Sequence, residues 1–294
     1  MTLVQKIKVY AGLSVKEAEI KAVLPSADYA EPIRRGNTFR DIRDGYHVIV
    51  IIDGRFQQSM AVSPSELMDT MRCGIKIYGS SSMGALRAVE LEPYGMIGFG
   101  KIFEYIKQTP YFRDDYLGQI FTEGDHETLS EPYVNFMFSL AKMKQEGQLE
   151  SADHDLLDEI YREIHFGERD LYTLIDRIKA EHAERAEDLV PIAKRAFSYH
   201  NQKREDGIGL LQQVKSDLDY IAKTNEELER QMSQIPKYDG LYPTQEEYEQ
   251  QLLDFKKEQK EVRASYFADF LKQSAKIYAD KKEGEDNSTD ADKA

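Results

Sequence analysis

Tyr46-His47-Val48-Ile49-Val50-Ile51-Ile52-Asp53-Gly54 places five β-branched residues in succession and stops at an Asp-Gly pair. An unbroken apolar run of this length fits a strand covered on both faces, as in a parallel sheet. The flanking segments repeat the pattern. Ile7-Lys8-Val9-Tyr10 is a short β-prone run closed by Ala11-Gly12-Leu13-Ser14. Ser14 stands three residues before Glu17, the capping-box spacing for a helix from Val15 to about Leu24, which Pro25 ends. Ser63-Pro64-Ser65-Glu66 opens a second helix, to about Arg72, with Ser63 as cap and Pro64 at its first position. Gly74-Ile75-Lys76-Ile77-Tyr78-Gly79 reads as a third strand, and Ser80-Ser81-Ser82-Met83-Gly84 leads from it into Ala85–Leu91. Strand and helix alternate, so the fold class is α/β, a small parallel-sheet, Rossmann-like layer.

The chain has 294 residues, with 13 Phe and 18 Tyr that exclude disorder along its whole length. Its net charge of −14 disfavours nonspecific binding to nucleic acid or to anionic lipid. No apolar run reaches the roughly 18 residues of a membrane helix, and Lys6 and Lys8 interrupt any signal-peptide core. One cysteine, Cys73, excludes an internal disulfide framework, and the six histidines are scattered without metal-ligand spacing. The expectation is a cytoplasmic protein with no resident metal or cofactor.

Four segments are expected: an α/β core over 1–125, its helical continuation over 126–204, a long helical hairpin over 205–280, and a disordered acidic tail over 281–294. Glycine and proline are sparse from Ser130 onward, and helices are predicted at Glu131–Glu146, Ala152–Phe166, Asp170–His182, Leu189–His200, Leu210–Gln234 and Gln245–Ala279. The last two carry apolar stripes and serve as packing or homo-oligomerisation scaffold. On this division, removal of residues 205–294 leaves the α/β half folded. Gly95, Gly98 and Gly100 do not have dinucleotide-loop spacing and read as close backbone packing.

The turn at Ser82 is the place for chemistry. A serine between a buried strand and the first turn of a helix sits beside unpaired N–H groups and a partial positive charge. Three readings stay open for it: a helix cap, an anion site, or a nucleophile beside an oxyanion site. Gly84 would let a substrate approach the backbone. Asp53 ends its strand at the carboxyl edge, where open α/β sheets bind ligands, and stands as a second catalytic candidate or as a simple Asp-Gly turn. Arg34-Arg35-Gly36-Asn37 is a loop able to present a guanidinium to an anion. His47 lies at the start of the buried run and reads as structural.

Three strings are similar to the TfuA-like family: Ile52-Asp53-Gly54-Arg55-Phe56, Ser80-Ser81-Ser82-Met83-Gly84-Ala85-Leu86-Arg87-Ala88-Val89-Glu90-Leu91, and Tyr94-Gly95-Met96-Ile97-Gly98-Phe99-Gly100-Lys101-Ile102-Phe103. Tyr10–Ser14, Arg34-Arg35-Gly36 and Leu129–Asn135 follow the family's order, so the resemblance covers about residues 6 to 145. It implies work beside a YcaO protein, which activates a peptide amide with ATP for exchange of oxygen by sulfur. It further implies hydrolysis of a thiocarboxylated ubiquitin-like sulfur carrier by a Ser–Lys pair, and help in holding the peptide substrate. Ser82 would attack, Met83 and Gly84 would hold the oxyanion, and Arg87 would orient Asp53 or Glu90 or bind the carrier tail. Arg35, Ser14, Glu131 and Asn135 join the substrate-binding set. Two positions depart from the family. Ser65 stands where the lysine is expected, with Lys76 and Lys101 the nearest alternatives, and Asn37 stands where aspartate often follows the glycine. The missing lysine leaves a second role open, a non-catalytic adaptor that docks YcaO and recruits peptide or carrier.

Overall fold

The computed structural model describes residues 5–56, 60–122 and 128–233, with isolated helical positions between 250 and 269. Five parallel strands form one sheet: β1 Ile7–Tyr10, β2 Asp28–Ala30, β3 Val48–Ile51, β4 Lys76–Ser80 and β5 Ile97–Phe99, in the order β2-β1-β3-β4-β5. Between them run α1 Glu17–Val23, α2 Asn37–Arg43, α3 Pro64–Arg72 and α4 Met83–Leu91, and α5 Lys101–Gln108 follows β5. The α/β reading therefore holds.

The β-branched run is central because it supplies both faces. Val48, Val50 and Ile52 enter one core with Val9, Ile20 and Leu24, whereas Ile49 and Ile51 enter another with Leu67, Ile77, Leu86 and Ile106. This is the period of two along a strand, with helices on either side. Ser63 caps α3 as expected, its Oγ accepting the Glu66 N–H at 3.2 Å.

β2, β5, α2 and α5 go beyond the three strands and their helices expected from sequence. β2 and β5 are three-residue edge strands, only half buried, and carry no apolar run to reveal them. The glycine-rich segment is closely packed. A Cβ on Gly98 would strike the Phe103 ring, and one on Gly100 would come within 2.6 Å of Asp206 Oδ2.

Four further helices, α6 Tyr133–Gln145, α7 Ser151–Glu163, α8 Leu171–Glu181 and α9 Ala186–Tyr199, bury a core of their own that includes Phe136, Leu140, Tyr161, Leu174 and Ala193. α10 spans Gln202–Ser233. It starts earlier than expected, and its Leu210, Leu211 and Val214 complete the sheet's β1-side core with no exposed surface. Residues 1–223 form one compact unit and residues 224–294 another. A boundary at residue 205 thus falls inside a helix that the sheet needs, and a cut there opens the core. The expected second hairpin arm is described only at isolated positions, and the tail over 281–294 lies outside the described residues.

One core carboxyl carries a stability prediction. Tyr10 Oη donates to Asp41 Oδ2 at 2.6 Å in a buried pair. Burial pushes the Asp41 carboxyl up from 3.8 to about 6, against the opposing Tyr10 hydrogen bond and the Lys8 charge. Because the folded form holds this proton more tightly, the cost is absent below the unfolded value and accumulates as pH rises through about 6. At pH 7 it reaches up to about 3 kcal/mol. Asp41→Asn, whose amide oxygen still accepts from Tyr10, is expected to raise stability at pH 7 and change little at pH 4. Urea melts at the two pH values check this, and an equal effect at both would contradict it.

Candidate active site at the carboxyl edge of the sheet

The strand order reverses direction between β1 and β3, and ligands of open α/β sheets bind outside the carboxyl ends at such a point. The loop after β1 and the residue after β3 meet there. Asp53 Oδ2 accepts the N–H groups of Gly12 (3.1 Å), Leu13 (2.9 Å) and Ser14 (2.8 Å), while Oδ1 accepts the Ser14 hydroxyl at 2.6 Å. Three converging N–H groups form an anion nest, and here a carboxylate of the chain itself fills it. Both Asp53 oxygens are engaged, so its geometry is that of a clamp on the β1 loop. Ser14 serves the same clamp. α1 instead begins after Lys16, whose N–H donates to Glu19 Oε2 at 2.9 Å, which replaces the expected Ser14–Glu17 capping box.

The serine turn follows β4. Ser80, Ser81 and Ser82 are buried, and the Ser80 and Ser81 hydroxyls have no hydrogen-bond partner. Ser81 has φ of +69°, a left-handed conformation shared among described non-glycine residues only by Tyr111. Ser82 is the residue before α4, with no side-chain capping bond. Its N–H donates to Ser80 O at 2.8 Å and Ile52 O at 3.3 Å.

The two oxyanion candidates separate. Met83 occupies the first position of α4, where the N–H has no partner within the helix. The Gly84 N–H already reaches Ile52 O at 3.4 Å. Gly84 does not open the backbone to substrate. A Cβ there would overlap the Ile51 carbonyl oxygen and lie 2.6 Å from its carbon, so the glycine lets α4 press against β3.

Arg87 pairs with Glu90 and not with Asp53. Its Nη1 donates to both Glu90 oxygens, at 2.9 and 2.7 Å, and its Nε to Val62 O at 2.8 Å. Arg35 belongs to another polar group. Glu66 accepts from the Gly36 N–H (2.9 Å) and the Thr38 hydroxyl (2.8 Å), and burial raises its carboxyl while the Arg35 charge opposes the rise.

Glu131 and Asn135 come together with a residue that sequence reasoning missed. Asn135 Nδ2 donates to Glu131 Oε1 at 2.8 Å, and Asn135 Oδ1 accepts the Lys203 N–H at 3.0 Å. The Lys203 side chain is enclosed, its Nζ 3.4 Å from Leu117 O. Burial lowers its ammonium below the ordinary value of 10.5, although the charges of Asp53 and Glu131 act in the other direction. Burial likewise raises the Glu131 carboxyl, against the Asn135 hydrogen bond and the Lys203 charge.

α10 lies across the strand ends. A Cβ on Gly207 would meet Val15 at 2.6 Å and Ile52 at 3.3 Å. One residue earlier, Asp206 abuts Gly100 and accepts the Lys101 and Ile102 N–H groups at 3.0 and 2.7 Å. Ile52 follows β3 and Gly100 follows β5, so the end of β4 lies between these two contacts. The three lysine positions weighed from sequence stand apart. Lys76 is at the exposed start of β4, Lys101 Nζ lies 3.8 Å from Glu205, and Ser65 Oγ lies 3.0 Å from Ser63 Oγ. Lys203 was legible in one respect: it precedes Leu210 by seven residues and Val214 by eleven, on the buried stripe of α10.

Among the described residues no three His, Cys, Asp or Glu side chains gather as a metal site, and no helix is long and apolar enough to cross a membrane. No curated protein matches the chain. The family model described as TfuA-like protein matches residues 53–170, a segment that contains Asp53, the serine turn, Glu131 and Asn135 and ends before Lys203. The matched segment carries the serine turn, so the chain is similar there to the TfuA-like family that its motifs resemble.

Proposed function

We propose that this protein serves YcaO-dependent peptide thioamidation by hydrolysing a thiocarboxylated ubiquitin-like carrier, so that sulfide reaches the YcaO partner. The TfuA-like family is associated with YcaO-dependent thioamidation. The observation that supports the hydrolytic reading is a fully buried lysine, Lys203, whose electrostatic neighbours are Asp53 at the carboxyl edge of the sheet and Glu131. A lysine with a lowered ammonium pKa is a usable general base, and a hydroxyl with no other partner is free to be its substrate. The thiocarboxylate carbon would be attacked by a hydroxyl of the turn, and the oxyanion would gather against the start of α4. Sulfide is a good leaving group and needs little acid assistance. Asp53 acts through the loop it clamps and does not meet the carrier. Arg87, held by Val62 O, fixes the exposed Glu90 carboxylate on α4, where the YcaO surface or the peptide substrate would lie.

Purified protein mixed with thiocarboxylated carrier, alone and with YcaO, ATP and peptide, tests this by sulfide measurement. Release above the rate of the carrier alone is the expected result. Thioamide formation that needs this protein without any carrier hydrolysis would instead establish the adaptor role.

A further inference from the structure

We propose that the cleft between β1 and α2 is a binding site for a carboxylate-bearing ligand, its carboxylate held by Lys8 and Arg40 above the buried Tyr10–Asp41 pair. The site stands independently of the hydrolase reading, because no residue of the serine turn lines it.

The topology makes the cleft. β2 is the edge strand, and Lys8 and Tyr10 of β1 are in register with its Asp28 and Ala30. Alternation along the strand puts Lys8 and Tyr10 on one face of the sheet. α2 meets that face through Asp41, which accepts the Tyr10 hydroxyl at 2.6 Å. The space beside this contact holds about 250 Å³ and is lined in part by Lys8, Tyr10, Arg34, Asn37, Arg40 and Asp41. Pockets for drug-sized ligands begin near roughly 300 Å³, so this one suits a small acid or a single acidic side chain. The Arg34–Asn37 loop, read from sequence as able to present a guanidinium, lines the cleft through Arg34 and Asn37. Asn37 Oδ1 is taken by the Arg34 N–H at 2.8 Å, so the amide has only its Nδ2 donor to offer.

Charge decides the class of ligand. Two acids at the rim already have partners: Glu31 pairs with Arg34 at 3.3 Å and Asp44 with Arg43 at 3.4 Å. Lys8 and Arg40 form no ion pair among the described residues, and Lys8 Nζ stands 4.8 Å from the centre of the Tyr46 ring. Two cations without a counter-charge, in one cleft of a chain that carries −14, select an anion. The floor selects which anion. Asp41 is 3% exposed, so a phosphate dianion would bring two charges against a buried carboxyl where a carboxylate brings one.

The same floor makes binding depend on pH. Burial pushes the Asp41 carboxyl up to about 6. Asp44 at the end of α2 and Glu66 of α3 also raise it, whereas Tyr10 and Lys8 of β1 oppose the rise. A neutral Asp41 admits the ligand carboxylate, and an ionised one repels it, so affinity falls as pH rises through that value.

Isothermal titration at low ionic strength tests the site with two probes, glutarate and a capped tri-glutamate peptide. Arg40→Gln and Lys8→Gln are each expected to weaken binding at least about tenfold. Lys179→Gln, an exposed charge removed from α8, should leave it unchanged. Wild-type affinity should fall several-fold between pH of roughly 5.5 and roughly 7.5, and the profile of Asp41→Asn should be flat. Binding of glutarate identifies a small acid as the source of the carboxylate, and binding of the peptide alone identifies an acidic chain. No binding of either probe up to about 10 mM, or wild-type affinity in both Arg40→Gln and Lys8→Gln, overturns the site. A pH limb that persists in Asp41→Asn overturns the placement of the carboxylate above Asp41.

Discussion

Gly84→Ala is expected to lose a large part of the folding stability and to melt roughly 10 °C or more below wild type. The added Cβ would overlap the Ile51 carbonyl oxygen and stand 2.6 Å from the carbonyl carbon and 3.3 Å from the Gly79 Cα. All three neighbours are backbone, so no side-chain rotation makes room. Ile51 pairs with Tyr10 and Gly79 in the centre of the sheet, and shifting it disturbs both ladders. Moving α4 outward instead opens the core around Met83, Ala85, Leu86 and Ala88. Core overpacking of this kind exceeds the ordinary 1 to 3 kcal/mol when only backbone can yield, and about 4 kcal/mol or more is expected. That is a large part of the roughly 5 to 15 kcal/mol that holds a domain together. Gly45→Ala is the control. Gly45 has φ of +76° and open space around its Cβ position, so it should cost only the about 1 kcal/mol of a left-handed alanine. Circular dichroism melts compare the two, and a Gly84→Ala midpoint within a few degrees of wild type would contradict the packing account.

The fold was legible where local chemistry and global burial agree. Val48–Ile51 is a central strand whose β-branched residues fill both cores, and Ser63 caps a helix that its own sequence announces. β2 and β5 were not legible, because edge pairing gives a strand without any apolar run. In the candidate site, the strand-to-helix serine turn could be read from residue order, but the positive φ of Ser81 could not. Asp53 at a strand end reads alike whether its carboxylate meets a substrate or clamps a loop. Only folding brings Gly12, Leu13 and Ser14 against it. Glu131, Asn135 and Lys203 likewise meet through tertiary packing of α6 and α10. A lysine on an apolar helical stripe is the one local sign of that meeting, and a stripe is most simply read through its leucines.

Lys203→Met is expected to reduce sulfide release by at least about 100-fold while leaving a protein more stable at pH 7 than the wild type. Both effects follow from the same burial. The unfolded chain binds the Lys203 proton with the ordinary value of 10.5, and the folded chain binds it less tightly. Stability therefore rises with pH between the folded and unfolded values, and the deficit is largest below that window. Methionine fills similar space without an ammonium to desolvate, so the variant gains most at neutral pH and the gain closes as pH approaches 10.5. Activity moves in the opposite direction. In the wild type, release should climb with pH as Lys203 becomes neutral, and this limb should vanish in Lys203→Met. Lys203→Arg separates two roles. A guanidinium keeps the positive charge but cannot become neutral in this pH range, so it is expected to be as inactive as methionine if the lysine accepts a proton. Retention of wild-type release in Lys203→Arg would show that a fixed charge suffices and would remove Lys203 from proton transfer. A unchanged pH limb in Lys203→Met would assign that ionisation to another group, with Glu131 the nearest to examine because burial raises its carboxyl.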